Sequence, residues 1–186
     1  MKKIIKKLIY LLILLSSSPI LAESKSVPCP PKLDAYVAGV EVYRHQNYDK
    51  QSKQCIPAQS SLISLKEGKL KEAIKIDGFV VGIEKFYNNQ LEEVVKVTSK
   101  AGGHTTLLKL LKWDSSQTKL LEIPGGTFTS SLGSIALLNP VSDQLEVKVK
   151  NQDSVNQCQV LWEESFVLKD KKFETKGKVE LEKSCH

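Results

Sequence analysis

The sequence predicts a mainly β protein: an antiparallel meander of hairpins forming a sandwich, a small barrel or a propeller-like sheet, held by two disulfides. Three observations lead there. Apolar and polar residues alternate at period two along most of the chain after residue 32. Turn-forming Gly, Asn, Asp and Pro recur roughly every 10 to 15 residues. Finally, Cys29, Cys55, Cys158 and Cys185 fall into two local pairs at opposite ends of the chain.

Residues 1–22 precede this pattern and have the three parts of a secretory signal peptide. Lys2, Lys3, Lys6 and Lys7 form the basic end, residues 8–15 the apolar core, and Ser16, Ser17, Ser18 and Pro19 break the helix before Ala22. Cleavage is expected after Ala22. The core is too short to span a bilayer, and Cys29 lies too far past the cut to carry a lipid. The expected product is therefore soluble, periplasmic or secreted, with no membrane insertion after cleavage. The whole chain carries 27 basic and 21 acidic residues, net +6. Removing the leader's four lysines leaves 23 against 21, or +2, which excludes the dense positive surface that nucleic acid requires.

Four cysteines in an oxidising compartment imply two disulfides. Three connectivities exist, and the local spacing favours Cys29 with Cys55 and Cys158 with Cys185. Residues 23–32 hold three prolines and are expected to run extended, leaving residues 33–186 as a single β-rich domain. The stretch LDAYVAGVEVYR reads as a strand, and the polar HQNYDKQSKQ after it as a loop or long hairpin turn carrying a solvated His45. Hairpins follow at ISLKEGKLKEAIKI, with Glu67-Gly68 as the turn, and at FVVGIEKFY with LEEVVKVTS, where Asn88 and Asn89 tolerate the positive φ of a tight turn. TTLLKLLKW and KLLEIPGG flank a turn at DSSQ. The leucines of residues 106–113 compete as a helical stripe, but glycines before and the turn after leave too few residues, so a strand is expected. GSIALLN and DQLEVKVKN flank Asn139-Pro140. CQVLWEESFVLKDKKFETKGKVELEKSC yields three more strands, broken at Asp170-Lys171-Lys172 and near Lys176-Gly177. Eight to ten strands result, with Trp113 and Trp162 facing the core.

The blocks EEVVKVTSKAGGHTTLLKLLKWDSSQTKLLEIPGG, GSIALLNPVSDQLEVKV and LWEESFVLKDKKFE resemble the hairpins of FG-GAP or VCBS-type segments of secreted bacterial proteins, over residues 92–174. The resemblance implies β-hairpins. It also implies a calcium loop, matched here by LNPVSDQLEV, in which only Asn139, Asp143 and Glu146 supply oxygens. Val141 and Gln144 stand where a ligand and a glycine belong, and calcium takes six to eight oxygens, so neither metal nor cofactor is expected. The three histidines, His45, His104 and His186, lack metal-ligand spacing.

Catalysis is not expected. No G-x-S-x-G occurs, and Glu92-Glu93 and Glu163-Glu164 point to opposite faces of a strand. The candidate binding residues are Tyr43, Arg44, His45 and Tyr48, grouped in one segment, and His104, which follows the flexible Gly102-Gly103 pair. Tyr36, Tyr87 and Trp113 are further aromatic candidates. Arg44 is the only arginine, and a carboxylate such as Asp49 is its expected structural partner. The predicted function is a non-catalytic binding or interaction module of the bacterial envelope, with a protein or glycan partner. The alternatives are a periplasmic inhibitor or immunity protein against a toxin or hydrolase, and an envelope hydrolase built on His104, Asp114 and a nearby serine.

Overall fold

The computed structural model describes residues 29–37, 39–65, 73–114 and 119–185. Among them are twelve strands and no helix. Strands β1 (Lys32–Val37), β2 (Val40–Asp49), β3 (Gln54–Leu65) and β4 (Ile74–Asp77) form a first sheet in chain order. A second contains β5 (Phe79–Asn88), β6 (Glu92–Ala101), β7 (Thr105–Asp114) and β8 (Lys119–Ser130), and a third β9 (Ser134–Leu138), β10 (Glu146–Val155), β11 (Cys158–Lys169) and β12 (Lys172–Cys185). All pairings are antiparallel, and each sheet keeps two edges, so the meander is an open stack of sheets and not a closed barrel.

The stacking order follows from the middle sheet. In β6, Val95 and Val97 point one way and Val94 the other; in β7, Leu111 and Leu110 divide likewise. Val95, Val97 and Leu111 join Val40, Val42 and Ile63 of the first sheet in one core. Val94, Leu108 and Leu110 join Val147, Val149 and Leu168 of the third sheet in another. A strand apolar on both faces is stable only when both are covered, and here a layer lies on each side. Phe128 anchors the second core, with edge-on contacts to Phe166 and Phe173 at 5.1 and 5.2 Å.

Local chemistry sets where strands bend. Between the pairs Lys109↔Thr127 and Leu111↔Glu122, β7 advances two residues and β8 five, so Pro124, Gly125 and Gly126 sit in a wide bulge. Gly125 has φ +69°, and a Cβ there would lie 2.6 Å from the Phe173 carbonyl oxygen. Glycine thus lets β8 touch the backbone of β12. The β10–β11 and β11–β12 turns place Asn156, Gln157, Asp170 and Lys171 at positive φ, the backbone of two-residue hairpin turns. The disulfides join Cys29 to Cys55 and Cys158 to Cys185, the latter directly opposed on β11 and β12.

Several sequence expectations need correction. Residues 33–44 are not one strand: the chain reverses at Gly39, whose φ of +82° supplies the turn, and Val37 pairs with Val40. The polar stretch after Tyr43 is not a loop either, because pairing with β3 carries β2 on to Asp49. Lys176-Gly177 marks a bulge inside β12 and not a break. Trp162 lies outside both cores on the half of the third sheet that extends past them, where Nε1 donates to Asp153 Oδ2 at 2.6 Å and Lys178 Nζ sits 3.5 Å from the ring. Residues 106–113 lie in β7, as expected. The leader, the Glu67-Gly68 turn, most of the DSSQ turn and His186 lie outside the described residues.

Asn88 works differently from the role its turn position suggests. The positive φ in this hairpin belongs to Glu92, while the Asn88 side chain, fully buried, acts as a connector. Its Oδ1 accepts from the Gln90 and Leu91 amides, and its Nδ2 donates at 2.8 Å to the carbonyls of Pro140 and Ser142. Gln90 Nε2 adds a bond to the Asp143 carbonyl. The 139–144 loop, to which the family resemblance assigned calcium, thus directs three carbonyls at amide donors of the middle sheet. Removing Asn88 leaves buried donors and acceptors unpaired, each worth about 1–3 kcal/mol. Asn88→Ala is expected to lower unfolding free energy by about 3 kcal/mol in urea denaturation with the disulfides intact.

Candidate binding surface

Tyr43, Arg44, His45 and Tyr48 share strand β2, where successive side chains alternate between faces. The structure therefore splits them. The Tyr43 hydroxyl donates to Glu41 Oε2 at 2.6 Å, a bond that, with burial, holds the phenol pKa above its usual value. His45 Nδ1 lies 3.1 Å from Ser60 Oγ of β3, so the imidazole has a neighbour in its own sheet. Arg44 binds not Asp49 but Asp34 of β1, at 2.9 Å, with its guanidinium carbon 5.6 Å from the centroid of the Phe79 ring of β5. The only arginine thus braces the first sheet against the second. Asp49 instead closes the β2–β3 turn, its carboxyl held below the usual range by the Ser52 hydroxyl and then by the Gln51 and Ser52 amides. Tyr48 pairs with Cys55 beside the first disulfide.

His104 lies in the turn between β6 and β7, whereas Asp114 ends β7, ten residues long. At about 3.3 Å per residue, they are roughly 30 Å apart, so the hydrolase site suggested by His104 and Asp114 is not assembled.

A different set of residues does converge. The face of β6 that points toward the third sheet changes along its length: Val94 is buried in the core, but Lys96, Thr98 and Lys100 continue the same face. There the third sheet stops short, leaving a cavity of about 220 Å³. Lys96, Thr98 and Lys100, with Thr106 and Leu108 of β7, line one side; Gly133, Ile135 and Leu137 form the other. Lys96 is paired with Glu84 at 3.0 Å. The Lys100 ammonium donates to Thr106 Oγ1 at 2.6 Å and has no carboxylate partner among the described residues.

The opposite wall is held firmly. Buried Ser130 donates through Oγ to the Lys150 carbonyl and accepts from the Leu132 and Ser134 amides. Asn151 links to the Ser131 amide and the Thr129 carbonyl. Gly133, at φ +73°, sits where a Cβ would lie 3.3 Å from Thr106 Oγ1 and 3.5 Å from Lys100 Nζ. The turn before β9 is thereby fixed against the lysine tip. A hollow of about 250 Å³ on the outer face of the third sheet is lined partly by Gln152 and Gln159, which hydrogen bond to each other.

This slot combines apolar side chains with a few polar donors, the composition of a ligand site. Sequence reasoning missed Lys96 and Lys100. The available signal was the string VVKVTSK, which puts two lysines and a threonine on one face of a strand whose other face is Val95, Val97 and Ser99. No family model matches the chain, and neither curated proteins nor solved structures contain a significant match.

Because Lys100 is exposed and, among the described residues, its ammonium is bonded only to a hydroxyl, its removal should leave the fold intact. Lys100→Gln is expected to change unfolding free energy by no more than about 0.5 kcal/mol, read from the same urea transition.

Proposed function

We propose that this chain is an exported, non-catalytic binding domain of the bacterial envelope and that its partner enters the slot between β6–β7 and β9. The observation that carries the reading is the Lys100 ammonium, without a carboxylate partner among the described residues, beside a cavity walled by Leu108, Ile135 and Leu137. Export is supported by the form of the leader and by four cysteines joined in two disulfides, an arrangement suited to an oxidising compartment. A binding role is favoured over catalysis by the slot's chemistry. Among the described residues its lining offers ammonium and hydroxyl groups, with no imidazole, thiol or carboxylate to serve as base.

Two measurements test this reading. Protein isolated from the envelope of its own cells should begin at Glu23 and contain no free thiol by intact mass; retention of residues 1–22 contradicts export with cleavage. The oxidised mature protein, immobilised, should retain a protein or glycan from an envelope extract, and Thr98→Trp, which fills the slot, should lose it. Equal retention by both proteins places binding elsewhere, and turnover of a bound glycan overturns the non-catalytic reading.

A further inference from the structure

We propose that β9 is a docking edge, to which an extended acidic segment of a partner protein adds as a fifth strand of the third sheet, with a carboxylate on Lys100. This rests on the binding-domain reading and specifies its ligand. A strand at the border of a sheet presents unpaired N–H and C=O groups, and proteins normally guard such borders with charge, proline or a bulge.

Five of the six edges here are guarded. β1 is bulged at Leu33/Ala35, and β5 at Val80/Gly82. β4 carries Lys75 and Asp77 in four residues. β8 has Pro124 in its wide bulge, and β12 has two bulges and many charged side chains. β9 differs: its sequence, Ser-Ile-Ala-Leu-Leu, contains no charge and no proline, and it pairs with β10 in unbroken register. Among the described residues β10 is its only neighbour. Apart from the Ser134 amide, bound to Ser130 Oγ, no β9 backbone group bonds outside that ladder among the described residues.

The space beside the edge has a defined chemistry. A strand added there would cover the part of β6 that the third sheet leaves uncovered, placing its inward side chains over Lys96, Thr98 and Lys100. Lys96 is already neutralised by Glu84, so the remaining charge is that of Lys100. Residues alternating along the incoming strand would meet first this ammonium and then Leu108, Ile135 and Leu137, which calls for acidic and aliphatic side chains on its inward face. Backbone bonds to β9 would supply affinity and the Lys100 contact selectivity, the division found in strand-addition complexes. A second copy fits less well, since its own β9 carries no acid to meet Lys100.

The test is selection from a random linear peptide display library on the full oxidised mature protein. Expected is enrichment of peptides alternating acidic with aliphatic residues, with binding weakened at least about tenfold by Lys100→Glu. N-methylation of alternate amides of an enriched peptide should abolish binding in one phase and spare it in the other, and β9 amides should gain hydrogen-exchange protection in the complex. Three results overturn the proposal: no acidic preference, indifference to N-methylation in both phases, or dimers formed through β9 in the free protein. Should these arise while Thr98→Trp still abolishes capture from the envelope extract, strand addition fails and the binding-domain reading stands; loss of both results removes both.

Discussion

The middle sheet has to be apolar on both faces, and the rest of the molecule is arranged around that requirement. Val94 with Leu110 and Val95 with Leu111 are adjacent residues buried in opposite directions. Neither outer sheet needs this: β12 is almost wholly exposed past Phe173, and β1 has no buried residue. Each outer sheet contributes one apolar face and depends on the middle sheet to cover it. The disulfides lie at the ends of these outer sheets, away from the cores. They constrain segments with little apolar burial of their own, where a covalent tie has most to add.

The same requirement explains the slot. Cover is needed only where β6 is apolar toward the third sheet, and beyond Val94 that face becomes Lys96, Thr98 and Lys100. The third sheet ends there in the short β9, whose Ile135 and Leu137 form the facing wall. Two lysines on a covered strand are therefore a break in the hydrophobic pattern that the packing leaves open. Fixing of the β8–β9 turn by Ser130, Asn151 and Gly133 keeps the break the same shape. A preformed opening loses less freedom on binding than a mobile loop.

Much of the fold was legible because hairpins are local: period-two alternation and turn residues identify β5 through β11, and cysteine spacing suggested the pairing observed. Other features depend on partners distant in sequence. β2 extends through polar residues because β3 supplies its hydrogen bonds, which no property of HQNYD reveals. The turn at Gly39 was hidden by an alternation that runs unbroken through it. Arg44 found Asp34 and Phe79, ten and thirty-five positions away, instead of nearby Asp49. Trp162 ends up outside the cores because the third sheet extends past the middle one, a matter of relative strand length. Tyr43, Arg44, His45 and Tyr48 stand out by residue type alone, whereas the slot is formed by side chains of two facing sheets that are remote in sequence.

If the middle sheet carries both cores, it should open last. Native-state hydrogen exchange with the disulfides intact measures this directly, since amides in the most stable unit exchange only through global unfolding. The expected result is that amides of Val95, Val97, Leu108 and Leu110 exchange slowest, with opening free energies equal to that of global unfolding, while β1 and the far half of β12 open more easily. Exchange in β6 and β7 that is faster than in β2–β3 or β10–β11 would contradict it, because the outer sheets would then be standing without the layer on which they are held to depend.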